Sequence, residues 1–442
     1  MSAFRHLRLD DQTLRELEIF DDTRGGPGLC GLLDRTRTRL GSRILRRKLR
    51  SPFVEICDIL AAQRDLAFLR ASPVPVPFTE ALLCGVDRYA NSRIEIAQWD
   101  RPGSRLASIR RALRFSDVRN ELVRGVADAA ELARCAGAYC HAQLHGNPDG
   151  PLWQLLRDVA AAAAAVEAAS RGHGASVWSA VRCDARLRET RRGELERLVS
   201  GAAELDALTA LASFGVDRGY CVPEVADAEP RFAAEGLHHP LLETPVGNEL
   251  ILGSDGHVIF LTGPNMAGKT TFLKSVGTAQ LLAQVGALAP AQVLRITPVD
   301  SLFTALNTAD DLTAGVSYYL AEVRRMKQAA ELVAGSRRSL VLIDEAFRGT
   351  NVLDATEATR LVVTGFGAVG GCTCLFASHL ASLGPDLAAL GVVLKSFAGE
   401  IRDGVASFDH RIRDGFSDQR FGLHLLEQEG VLKLLASAAR PD

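Results

Sequence analysis

One stretch, Gly263-Pro264-Asn265-Met266-Ala267-Gly268-Lys269-Thr270, restricts what this chain can fold into more than any other feature. Its G-x-x-x-x-G-K-T spacing makes a glycine-rich turn whose successive backbone N–H groups point at a polyphosphate. Lys269 then reaches the outer phosphates, and Thr270 offers its hydroxyl to a magnesium ion. The flanks agree with this. Residues 257–261 read as a short buried strand, and residues 271–282 as a helix whose N-terminus faces the phosphates. A chance glycine-rich turn would need both flanks to agree by accident.

Two further segments extend the reading from nucleotide binding to hydrolysis. Residues 339–343 form an apolar strand that ends in Asp344-Glu345. Asp344 is placed to hold magnesium through its water shell, and Glu345 to polarise an attacking water. A third apolar strand, 372–377, ends in Ser378-His379. Alone, His379 reads as a satisfied structural histidine. As the third member of the series it reads as a contact for the γ-phosphate or the attacking water.

Composition sets the outer bounds. A chain of 442 residues with 47% hydrophobic and 24% charged residues has room for two or three domains and a sizeable core. No run of eighteen uncharged apolar residues occurs, and the N-terminus lacks an apolar signal core, so the expectation is a cytoplasmic protein without a membrane partner. The nine cysteines contain no C-x-x-C pair, which argues against a zinc site and a disulfide framework. A net charge of −2 leaves nucleic-acid binding to local patches. Arg43, Arg46, Arg47, Lys48 and Arg50 form one, and Arg105, Arg110, Arg111 and Arg114 another; solvated faces or ion pairs are the better reading of both.

Texture changes along the chain. Residues 37–49, 55–69, 104–115, 117–136, 151–170 and 183–211 carry apolar residues at three- and four-residue spacing, the mark of helices. From Gly219 onward short strands alternate with helices, with strands expected at 250–252, 258–261, 302–303, 340–343, 373–377 and 392–397. That alternation predicts an α/β P-loop NTPase domain with a largely parallel sheet at 223–442, preceded by an all-α domain at 1–222.

At this point the chain resembles the MutS mismatch-repair ATPases. The G-P-N-M opening within Thr262 to Thr271 is similar to that family's phosphate loop, and Asp344-Glu345-Ala346-Phe347-Arg348-Gly349-Thr350-Asn351 to its D-E-x-x-R-G-T-S run. Phe376-Ala377-Ser378-His379 resembles its F-A-T-H switch. Asp310-Asp311-Leu312, Gly315, Ser317 and Glu322 resemble its signature segment. His238-His239-Pro240 with Asn248 resembles the entry to the ATPase domain, and Phe421-Gly422-Leu423-His424 its end. Leu32-Leu33-Asp34-Arg35-Thr36 through Ser51-Pro52 and Glu204-Leu205-Asp206 resemble the family's core and lever.

The resemblance implies an ABC-type ATPase domain behind a core/lever domain, with ATP and Mg2+ as cofactors. It implies that Gly263, Pro264, Asn265, Met266, Ala267, Gly268, Lys269, Thr270 and Thr271 surround the phosphates, with Asn265 on the γ-phosphate, and that Thr270 and Asp344 hold the metal. Glu345, Lys269 and His379 would serve hydrolysis, with Ser317 reaching across a homodimer to the partner's γ-phosphate. His410 would supply a ring to the adenine. DNA, mismatched or branched, and other repair proteins are the implied partners.

Departures from the family narrow this picture. The core motif starts at Leu9, which leaves no room for mismatch-reading and connector domains, and residues 186–205 read as one charged helix where a β-rich clamp would interrupt. Ala267 replaces a usual glycine, which fits only if its φ stays negative. Pro245-Val246 stands where an aromatic–aliphatic pair usually packs on adenine. Two readings therefore remain beside a mismatch-repair ATPase: a DNA-structure binder in repair or recombination, without mismatch recognition, whose slow hydrolysis switches a clamp, and a nucleotide-gated protein-interaction module that never touches DNA.

Overall fold

A computed structural model describes the chain apart from residues 1–5, 24, 72, 93–101, 145–149, 175, 254–256, 307–317, 403–404, 418, 420–429, 432–433 and 436–442. The chain begins with α1 (Asp11–Glu16), α2 (Gly28–Leu33), α3 (Arg39–Arg50), α4 (Ile56–Ala71) and α5 (Glu80–Ala90). Next come α6 (Pro102–Arg114), α7 (Ser116–Leu144), α8 (Pro151–Ser170) and α9 (Val177–Asp184), then a π-helical turn, Ala185–Thr190, and α10 (Arg192–Ser213). The second half holds β1 (Glu224–Val225), β2 (Phe232–Leu237), β3 (Asn248–Leu252), β4 (Val258–Thr262), α11 (Lys269–Val285), β5 (Val293–Ile296) and β6 (Ser301–Ala305). It ends with α12 (Tyr318–Ala334), β7 (Ser339–Asp344), α13 (Val352–Gly367), β8 (Cys372–Ala377), α14 (Gly384–Ala389), β9 (Val393–Arg402) and β10 (Val405–Asp414).

Two compact units result. Leu33–Lys48 and Ala61–Phe214 form a helical unit; Met1–Leu32, Leu49–Leu60 and Gly215–Asp442 form a unit that carries both sheets. The expected boundary between 222 and 223 thus differs from the observed one. The reason is polar stitching that composition does not show. Arg8 pairs with Ser301 at the start of β6. Thr304 donates its N–H to Thr13 Oγ1 (3.1 Å) and its hydroxyl to Glu16 (2.5 Å), and Leu306 N–H donates to the same carboxylate (3.0 Å). The guanidinium carbon of Arg325 stands over the Phe303 ring, 3.9 Å from its centroid, and the group joins Asp10 to the Thr304 carbonyl. Each of these groups is buried or half-buried, so removing the N-terminal segment would strand polar atoms along β6.

The helical unit follows the apolar periodicity closely. α7 buries Val126, Ala129, Ala133 and Ala136 and α8 buries Leu152, Leu156, Val159, Ala163 and Val166, and the two helices pack together; Leu122 of α7 instead joins Ala112 of α6 and Ala180 and Val181 of α9. Pro151 at the first turn of α8 suits the missing N–H there. α10 approaches α8 so closely that a Cβ on Gly201 would stand 2.3 Å from a Val159 methyl. Residues 183–211 are helical as expected, except that the π turn interrupts them; there Arg188 pairs with buried Asp184 (2.5 Å), which also accepts from Tyr89 (2.8 Å). No strand occurs among the described residues of this unit. No helix among the described residues is long and apolar enough to cross a membrane.

In the other unit a six-stranded sheet has the order β10-β9-β4-β8-β7-β6, parallel except for the β10–β9 pair. β4 and β8 are buried along their whole length, as central parallel strands with helices on both faces must be. A second sheet has the order β1-β5-β2-β3; the strand expected at 250–252 lies in β3, and the other three strands add to the expectation. β2 carries Glu235 and Gly236 within six residues, so its alternation is faint.

Candidate functional site

The phosphate-type loop leaves the carboxyl end of β4 and enters α11 directly, where parallel strands place their functional loops. Two glycines are structurally required. Gly263 has φ +144 and its absent Cβ would lie 2.6 Å from the Phe397 carbonyl; Gly268 has φ +109 just before α11. Met266 takes φ +70 and is 75% exposed, whereas Ala267 is buried and stays outside the left-handed region, as its methyl demands. Asn265 is exposed on the loop, Pro264 is buried, and Thr271 is half-buried.

Lys269 is 5% exposed and folds back over the loop, donating to the carbonyls of Gly263 (2.8 Å) and Pro264 (3.1 Å). Glu345 Oε1 stands 3.5 Å from its ammonium. Burial pulls the Lys269 pKa below its ordinary value, Asp344 opposes this, and Arg348 adds to it. One residue on, the Thr270 hydroxyl donates to Asp344 Oδ2. The other oxygen, Asp344 Oδ1, is buried with no hydrogen-bond partner. Desolvation raises the Asp344 pKa against the pull of Thr270, Lys269 and Arg348. A buried carboxylate oxygen left open beside a threonine hydroxyl is the donor set a hard oxygen-seeking cation takes.

Glu345 is 7% exposed and sits in the left-handed region at φ +49, its N–H bonded to the Ala377 carbonyl (2.9 Å). Arg348 pairs with its carboxylate. His379 follows β8 as expected and its ring makes no hydrogen bond among the described residues; desolvation lowers its pKa, as do the charges of Arg348 and Lys269. Lys269, Thr270, Asp344 and Glu345 thus stand together, with His379 within electrostatic reach. Ser317, with Asp310, Asp311, Leu312 and Gly315, lies outside the described residues, as do Phe421 to His424.

On the other side of the loop a cavity of about 260 Å³ is lined by His238, His239, Val246, Phe272, Phe397 and His410, among others. His410 takes φ +55 and its Nδ1 lies 3.1 Å from the Ala267 carbonyl. Asn248 holds that bulge in β10 like a strand partner, donating to the His410 carbonyl (3.0 Å) and accepting from Ile412 N–H (2.7 Å). The aromatic walls come from Phe272 and Phe397, edge to face at 5.8 Å, rather than from the Pro245-Val246 position. Sequence reasoning gave no role to these two phenylalanines because both read as core positions. His239 is 5% exposed, its Nε2 has no partner, and burial lowers its pKa to about 4.

Comparison with known proteins agrees with both halves of this arrangement. A family model described as MutS domain III matches residues 12–212, and one described as MutS domain V matches residues 259–441. The DNA mismatch repair protein MutS of Brevibacillus brevis is 32% identical over 243 residues, 53% of this chain and 28% of that protein. Its counterparts in Chloroflexus aurantiacus and Azorhizobium caulinodans are 34% identical over 56% and 54% of this chain, and over 26% and 27% of their own lengths. The matched region is therefore about a quarter of those relatives. Two domain matches in order, one on the helices and one on the loop-bearing sheet, leave a single conclusion: the chain belongs to the MutS family.

Proposed function

We propose that this chain is a magnesium-dependent ATP hydrolase of the P-loop, ABC type that switches a dimeric assembly on DNA, in the repair role its relatives' name states. The observation that carries the reading is the convergence of Lys269, Thr270, Asp344 and Glu345 at the ends of β4 and β7, with Asp344 Oδ1 buried and open. Thr270 and Asp344 are the residues that would hold magnesium, which when bound supplies charge neutralisation at the β- and γ-phosphates.

The chain's own residues do the rest. Lys269 gives up the Gly263 and Pro264 carbonyls for the phosphates, trading one set of acceptors for a more strongly charged one. The loop amides and the N-terminus of α11 cradle the same oxygens. Asn265, exposed on the loop, reaches the γ-phosphate, and His379 approaches it from the end of β8. Glu345, freed from Lys269, orients the attacking water and accepts its proton. The purine enters the cavity between His410 and Val246. Ser317 of a second copy completes the site.

Steady-state ATP turnover tests this. Lys269→Ala should abolish it, and Glu345→Gln should lower it by about 10²- to 10⁴-fold, the range for losing a general base. Unchanged turnover in both variants rejects the assignment. A nucleotide-gated protein-interaction module is the second reading, favoured by the absence of strands among the described residues of the helical unit. Gel shifts on homoduplex, mismatched and branched DNA separate the two: structure-dependent binding supports the first, and no binding at low salt the second.

A further inference from the structure

The turn after β7 holds two non-glycine residues in the left-handed region, Glu345 at φ +49 and Phe347 at φ +67. Neither side chain favours that conformation, so contacts from outside the turn must keep it. The Ala377 carbonyl at the end of β8 holds the Glu345 N–H (2.9 Å), and two further contacts come from α12. Glu322, 1% exposed, accepts the Arg348 N–H on Oε1 (3.1 Å) and the Gly349 N–H on Oε2 (3.2 Å). Three positions earlier, on the same helix face, the Tyr319 ring lies 6.3 Å from that of buried Phe347, tilted by 58°.

A buried carboxylate with both oxygens spent on backbone amides is a costly way to fasten a turn, because charge is desolvated to hold uncharged groups. Its return is directional: two bonds to adjacent amides fix the peptide planes as well as their position. From there the Arg348 side chain reaches back to the Glu345 carboxylate. A continuous physical path therefore runs from α12 through Glu322, the 348–349 backbone and Arg348 to Glu345.

We infer that Glu322 is a positioning residue for the hydrolytic carboxylate: it ties the turn that carries Glu345 and Arg348 to α12. This rests on the hydrolase reading and deepens it. Glu322 acts through the turn alone.

The test uses the full chain as wild type, Glu322→Ala, Glu322→Gln and Glu345→Gln, with ATP turnover, binding of a fluorescent ADP analogue and thermal unfolding measured on each. The expected result is a fall in kcat of roughly a hundredfold for Glu322→Ala, the scale of an ångström misplacement, while KM and ADP affinity hold. Glu322→Gln keeps one acceptor oxygen and should lose less. If Glu322→Ala does not fold, the Gln variant decides by the same split between kcat and affinity. Wild-type kcat in the folded variants, or kcat and affinity declining together with the unfolding temperature, overturns the inference. An inactive wild type removes the hydrolase reading itself, whereas an active wild type with an inert Glu345→Gln and unaffected Glu322 variants removes this inference alone.

Discussion

His239 shows how one side chain can make the molecule sensitive to acid. It is sealed beneath the cavity, beside the Lys274–Glu18 pair (3.0 Å). Burial lowers its pKa from 6.5 to about 4; Glu18 opposes the shift, and Lys274 and His238 assist it. The unfolded chain accepts a proton below pH 6.5 that the folded chain refuses until about pH 4. Stability is therefore complete above pH 6.5 and declines as pH falls towards 4, by up to about 3 kcal/mol. Denaturant titrations at several pH values should show that decline in the wild type and a flatter profile in His239→Gln. Equal profiles would mean that the imidazole is not held neutral.

Among the elements, α3 depends on a carboxylate far away in sequence. Asp206 on α10 is buried and accepts the N–H groups of Arg37 and Thr38 (both 2.9 Å) and the Thr38 hydroxyl (2.7 Å). Thr38 caps α3, accepting the Gly41 N–H on Oγ1 (3.0 Å), and Asp206 holds that capping residue in place. Asp206→Ala frees the capping residue and leaves the Thr38 N–H and hydroxyl, both buried, unpaired, a loss of about 2 kcal/mol or more for the helical unit. Urea unfolding followed by circular dichroism would read it. The same pair shows where sequence reasoning stops. The apolar stripes on α7 and α8 and the strands β4, β7 and β8 were legible because burial on one face or both writes a period into the letters. Lys269, Thr270, Asp344 and Glu345 were legible because their chemistry fixes their spacing from strand ends. The grip of Asp206 on α3, of Glu16 on β6 and of Asn248 on β10 spans 162 to 290 positions and leaves no local mark. β2, β5 and β10 were missed for another reason: Glu235, Arg295 and Asp409 break any apolar run.

At the scale of the whole molecule, the proposed switch predicts that quaternary state follows nucleotide. Glu345→Gln with Mg2+ and ATP should sediment as a dimer, and wild type with ADP as a smaller species, since the trapped triphosphate would keep Ser317 of each copy engaged. Identical sedimentation in both states would count against the dimeric switch. The seam between the N-terminal segment and β6 carries a different consequence, one of timing. On a ribosome, Thr13 and Glu16 emerge some three hundred residues before the strand that receives them. The helices between can bury their stripes as they appear, but the sheet-bearing unit must await the strands that follow them. During synthesis Thr13 and Glu16 would therefore wait, without their partners, until Thr304 and Leu306 have been added.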